Sequence, residues 1–149
     1  MLTNLTTKRE VAHYLNFRLG SQWYGLDVKN VIEVLHFVKL TELPNTGESL
    51  LGLMTLREHV LSVLDMRRLF NLTDVSFQLN TPIVAARSSK GMIGLVVDEV
   101  DQVATVNTDQ LIAYKGPYVS QISSVARIGE SLLLIIDPSI LDKYVNVQT

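Results

Sequence analysis

The sequence predicts a mainly β protein built as two small barrels that share one hydrophobic seam. Three observations carry this expectation. Apolar runs are short, five to eight residues of Val, Ile, Leu and Tyr separated by Gly, Asn, Ser or Asp turns. No long amphipathic helix can be read, and the chain repeats itself at an offset near seventy residues.

In chain order, Leu15, Phe17 and Leu19 alternate with Asn16 and Arg18, so the spacing predicts a half-buried strand over Ala12 to Leu19. Gly20-Ser21-Gln22 then turns the chain into Trp23 to Leu26, an opening hairpin. Asp27 is placed to cap a short helix, because Val28, Val31, Ile32 and Leu35 share one helical face, with Lys29, Asn30 and Glu33 outside it. After Pro44, extended runs from Leu51 to Leu56 and Val60 to Leu64 flank Arg57-Glu58-His59, and a helical turn follows from Met66 to Phe70. A further hairpin, Ile83 to Ala86 and Met92 to Val97, brackets Arg87-Ser88-Ser89-Lys90-Gly91.

The repeat has two blocks. Tyr24-Gly25-Leu26-Asp27-Val28, continuing to Val31 and Val34, matches Ile93-Gly94-Leu95-Val96-Val97, continuing to Val100 and Val103, 69 residues on. Leu56-Arg57-Glu58-His59 through Asp65 matches Ile128-Gly129-Glu130-Ser131 through Asp137, 72 residues on. Each second block ends in an Asp able to cap a helical turn, and Pro138 suits the first helical position after such a cap. Two halves of about seventy residues, each a strand meander forming one barrel, would be marginal alone and should fold as one unit.

At 149 residues the chain is the size of one domain, and with 47% apolar and 19% charged residues it has the composition of an ordered one. Zero Cys excludes disulfides, thiol nucleophiles and cysteine-built metal sites. A net charge of −2 gives no general attraction to nucleic acid or anionic lipid. The N-terminal stretch lacks an apolar leader region and the longest apolar run is only Leu132 to Ile136, so a cytoplasmic location without direct membrane insertion is expected.

Motifs of common chemistry are missing: no two glycines lie two residues apart, which excludes G-x-G-x-x-G, and there is no phosphate loop, G-x-S-x-G or H-E-x-x-H. His13, His36 and His59 are far apart and read as exposed or strand-end residues. Asp98-Glu99-x-Asp101 reads as a solvated turn, Trp23 as a core or hairpin residue, and Asp65 and Asp137 as matched helix caps. No catalytic residue, metal ligand or cofactor is assigned. Arg57 stands apart, because its repeat equivalent is Gly129: a bare turn in one half carries a guanidinium in the other, which makes it a candidate for recognition.

The combination of motifs resembles the CheW family, from about Ala12 to Tyr144. Tyr24-Gly25-Leu26-Asp27-Val28 with Val31-Ile32-Glu33-Val34 resembles the family's Tyr-Gly-Ile-Asp-Ile and Val-x-Glu-Ile. Leu50-Leu51-Gly52-Leu53-Met54-Thr55-Leu56-Arg57-Glu58 resembles Ile-x-Gly-x-x-Asn-Leu-Arg-Gly; Val63-Leu64-Asp65-Met66-Arg67 with Phe70, and Gly94-Leu95-Val96-Val97-Asp98-Glu99-Val100, resemble two further family segments. The resemblance implies two five-stranded, SH3-like barrels packed around a shared core with short helices. It implies a single domain over 12–144 between tails 1–11 and 145–149. It also implies a non-enzymatic chemosensory adaptor without cofactor, which links the cytoplasmic hairpin tips of chemoreceptors to the regulatory domain of a CheA-type histidine kinase.

By motif, the resemblance puts receptor contacts at Val31, Glu33, Val34, Gly52 and Arg57, in the groove between the barrels, with Glu58 beside them. Kinase contacts are implied at an apolar barrel end that no short motif identifies. Three positions depart from the family pattern: Glu58 replaces a glycine, Thr55 an asparagine and Ser124 a glycine. Glu58 is expected to alter either the turn or the partner, which would suit a divergent array. The other readings are a small-molecule-binding or enzymatic β-barrel, and a kinase-binding relative that engages no receptor.

Overall fold

A computed structural model describes residues 10–44, 47–72, 78–114 and 121–145. Strand β1 (Val11–Leu19) turns into β2 (Gln22–Asp27), as the alternation predicts, with Leu19 paired to Gln22 across the turn. The helix expected from Val28 to Leu35 is not there. A single 3-10 turn, Val28–Asn30, forms under the Asp27 cap, whose side chain accepts from Lys29 N at 2.9 Å, and the chain then enters β3 (Val31–His36). The helical spacing comes from a β-bulge: the register with the opposing strand shifts between Val31 and Glu33. Val31 packs on one apolar cluster while Ile32 and Leu35 enter another, a split that a regular strand would not produce at this spacing.

Strands β4 (Leu50–Leu56) and β5 (His59–Asp65) form the next hairpin and lead into α1 (Met66–Leu69). Asp65 caps α1, accepting from Arg67 N at 3.0 Å, and Asn71 in the left-handed region ends it, with Leu72 N donating to Arg67 O at 2.8 Å. Then follow β6 (Pro82–Ser88), β7 (Gly91–Val96), β8 (Glu99–Asn107), β9 (Leu111–Ala113), β10 (Ser124–Ile128) and β11 (Ser131–Ile135). A 3-10 segment, Pro138–Tyr144, closes the described chain, capped as expected by Asp137 through Ser139 N at 3.0 Å.

The strands make two sheets, ordered β8-β1-β2-β11-β10-β9 and β3-β6-β7-β5-β4. Each surrounds its own apolar cluster, Met54, Leu61, Val63, Ile83 and Val96 in the five-stranded barrel and Tyr14, Val106, Ala126, Leu133 and Ile135 in the six-stranded one. The seam between them is the largest cluster, built on Phe17, Leu26, Leu64, Met66, Leu95, Ile136 and Leu141, all at most 1% exposed. Trp23 is partly buried against the six-stranded barrel's cluster.

The barrels are not the consecutive halves that the repeat suggests. The five-stranded barrel is continuous, β3 through β7, whereas the other combines the N-terminal hairpin with β8–β11. Each repeat therefore lends its first hairpin to the other's barrel, through parallel pairings of β2 with β11 and of β7 with β5. This explains the repeated glycine. Gly25 lies opposite Ile135 and Gly94 opposite Val63, and a Cβ at Gly25 would sit 2.9 Å from both Leu133 Cδ2 and Ile135 Cδ1.

Candidate protein-binding site

Glu33 sits on the bulged β3 strand, at an edge of its sheet, and Arg57 sits at the tip of the β4–β5 hairpin, on the opposite edge. Closure of the barrel brings them together: Arg57 Nη2 lies 3.0 Å from Glu33 Oε1, with the arginine side chain 70% exposed and the glutamate 33%. The same closure is made in backbone by Thr41, which exchanges two 2.8 Å hydrogen bonds with Leu53.

Arg57 has φ 57°, the left-handed region, at the place where Gly129 has φ 61° in the equivalent turn. An arginine thus holds a backbone conformation suited to glycine. Glu58 does not: positive φ among the described non-glycine residues occurs only at Arg57 and Asn71, so the turn accepts Glu58 without strain there. Of the two effects expected of Glu58, strain in the turn has no basis in its backbone, and its exposed carboxylate stands as an added charge beside Arg57. Ser124 likewise has no positive φ and simply opens β10, paired with Ile135 and Ala113.

The other expected residues divide. Gly52 is buried with φ 153°, and a Cβ there would fall 2.3 Å from Thr41 O, so its part is to let the closing segment approach. Val31 is half-buried on the seam, whereas Val34 is 42% exposed. Val34 faces a groove of about 470 Å³ between the barrels, lined on one side by Val34, Leu35, His36 and Pro82 and on the other by Asp98, Glu99 and Val100. Of the six residues marked by motif, Val34 lines this groove, whereas Glu33 and Arg57 pair with each other on the five-stranded barrel and exposed Glu58 follows Arg57 in the turn.

Sequence reasoning missed the second wall. Asp98 is no solvated turn: its side chain is 17% exposed, Oδ2 accepts from Gly20 N at 2.7 Å and Oδ1 lies 2.9 Å from Arg67 Nη1. Arg67 is 8% exposed and also approaches the fully buried Asp65, with Nε 3.6 Å from Oδ1. Beside it Arg18 donates to Glu99 Oε1 at 3.1 Å and to Gly20 O at 2.6 Å. A network of alternating charges therefore runs from α1 to the head of β8.

The three histidines lie exposed on β1, β3 and β5, and no metal-ligating cluster occurs among the described residues. Burial raises the hydroxyl pKa of Tyr14 and Tyr24 above the ordinary 10.0, with the Asp27 charge adding to the effect at Tyr14. What this surface offers is a cleft of mixed lining, with Val34, Leu35, Pro82 and Val100 beside His36, Asp98 and Glu99.

Two intertwined SH3-like barrels with a groove between them define the class. The CheW-like domain family matches residues 13–143, and the chain belongs to that family. It is 27% identical over 128 residues to the chemotaxis protein CheW of Klebsiella aerogenes, covering 83% of this chain and 77% of that one. It is 28% identical over 133 residues to the chemotaxis protein CheW of Bacillus subtilis, covering 85% of each. The crystal structure of the scaffolding protein TtCheW from Thermoanaerobacter tengcongensis superposes with a TM-score of 0.78 at 24% identity, over 86% of this chain and 90% of that one, and so shares the fold.

Proposed function

We propose that this protein is a non-enzymatic chemosensory adaptor, a single domain over 12–144 that couples the cytoplasmic hairpin tip of a chemoreceptor to the regulatory domain of a CheA-type histidine kinase. The receptor hairpin lies across the groove and the Glu33–Arg57 pair, with Val34 as apolar anchor and Glu33, Arg57 and Glu58 as polar contacts. Val31 and Gly52 act from beneath, one by seating β3 on the seam and the other by admitting the closing segment. The protein works in the cytoplasm, where both partners present these surfaces.

The observation that carries the reading is the Glu33–Arg57 pair at 3.0 Å on the surface of the five-stranded barrel. Here an exposed arginine is kept in a left-handed turn where the matching turn has glycine. Such a residue is retained for what its side chain does. Family membership supplies the kind of partner.

Titration calorimetry against the kinase regulatory domain and, separately, a receptor hairpin tests the proposal. Binding to both is expected. Binding to the kinase alone would instead make the protein a kinase-binding relative that engages no receptor, and binding to neither would overturn the adaptor reading.

A further inference from the structure

We propose that the part-buried Arg67–Asp98 pair is the strut that sets the opening of the groove, which makes Arg67 a positioning residue for receptor docking. The inference deepens the adaptor reading and rests on it for the partner, though not for the geometry.

Asp98 belongs mechanically to the six-stranded barrel. Its backbone N donates to Arg18 O at 3.0 Å and its Oδ2 accepts from Gly20 N at 2.7 Å, both in the β1–β2 hairpin. Arg67 belongs to the five-stranded barrel, rooted on α1 by Asp65, which caps its backbone N at 3.0 Å and stands 3.6 Å from its Nε. The 2.9 Å contact between Arg67 Nη1 and Asp98 Oδ1 therefore crosses from one barrel to the other. It does so behind one wall of the groove: Asp98, Glu99 and Val100 form that wall, and Val34, Leu35 and His36 form the other.

The hydrophobic seam holds the barrels together, but apolar contact is non-directional and tolerates small rotations. A largely desolvated carboxylate–guanidinium–carboxylate chain is directional and adds little net stability, so it serves to fix geometry. Capping alone would need Asp65 and the Arg67 backbone, not a guanidinium reaching Asp98. By acting through Asp98, Arg67 sets where the second wall stands.

The chain has no cysteine, so two can be introduced cleanly, at Val60 in the five-stranded barrel and Asp101 in the other, both exposed and in strands. Nitroxides there report the inter-barrel distance by pulsed electron resonance. In this background Asp98→Asn replaces one of the two carboxylate oxygens by an NH2 donor, which must then face either Gly20 N or Arg67 Nη1, both donors, so one of the two contacts is lost. Arg67→Lys keeps the charge but loses the fork that reaches both carboxylates. Each folded variant is expected to shift or broaden the distance distribution and to weaken binding of the receptor hairpin about tenfold, with affinity for the kinase regulatory domain unchanged.

An unchanged distribution in either folded variant overturns the strut. A changed distribution with unaltered receptor affinity, or an equal loss toward both partners, overturns the positioning role. If the unmutated protein binds no receptor hairpin, the adaptor reading is what fails, and the distance measurement still decides the strut. Should one variant not fold, the other suffices.

Discussion

Arg57 and Gly52 show how one residue can be read twice. By sequence both are candidate binding residues, and Arg57 has Gly129 as its repeat partner. The structure gives that mismatch a physical content, since both turn positions need a left-handed backbone, at φ 57° and 61°. Replacing Arg57 by Gly should therefore raise stability by about 1 kcal/mol, while Arg57→Ala, which keeps the strain, should leave it within about 0.5 kcal/mol. Urea denaturation checks both, and receptor binding should weaken in both. Gly52→Ala should cost more than about 3 kcal/mol, because the new Cβ meets backbone and not a side chain that can turn away. A midpoint close to that of the unmutated protein would contradict the account of barrel closure.

At the scale of elements, what was legible was local. The hairpins at Leu19–Gln22, Leu56–His59 and Ser88–Gly91 and the caps at Asp27, Asp65 and Asp137 stand where the sequence places them, because turns and caps are decided by residues within a few positions. The stretch from Val28 to Leu35 carries helical spacing without a helix, because the bulge at Ile32 imitates it. The Asp98 wall was not legible either, since its partners Arg67 and Gly20 are 31 and 78 residues away in sequence. On β11, Leu134 packs half-buried on the seam while Leu133 and Ile135 fill the barrel. Leu134→Ala should cost about 2 kcal/mol, and the same change at fully buried Leu26 about 3–5 kcal/mol, as read from denaturant midpoints.

At the scale of the whole molecule, the repeat was visible but its exchange of hairpins was not, because which strand a hairpin joins depends on pairings between distant segments. Fragments 1–80 and 81–149 should each be unstructured by circular dichroism and recover strand structure when mixed, since neither holds a complete barrel. Independent folding of either would contradict the exchange. Stability should also fall at alkaline pH. Tyr14 and Tyr24 have hydroxyls raised above 10.0 by burial, so their folded state favours the protonated form. That contribution is complete below the unfolded value near 10 and is lost as pH rises through the higher folded values. Tyr24→Phe should reduce this alkaline loss in denaturation curves recorded from about pH 9 to 12.

The exchanged hairpins also set an order of events during synthesis. The first hairpin leaves the ribosome with its partner strands β8 and β11 still unmade, whereas β3 through β7 can close as soon as Val96 has emerged. At ordinary elongation rates the N-terminal hairpin waits roughly 5–20 s for β11 with apolar residues such as Phe17 and Leu26 uncovered. The barrel that is discontinuous in sequence is therefore the last to form, and in that interval the nascent chain is most open to holdase chaperones and to mispairing with its neighbours.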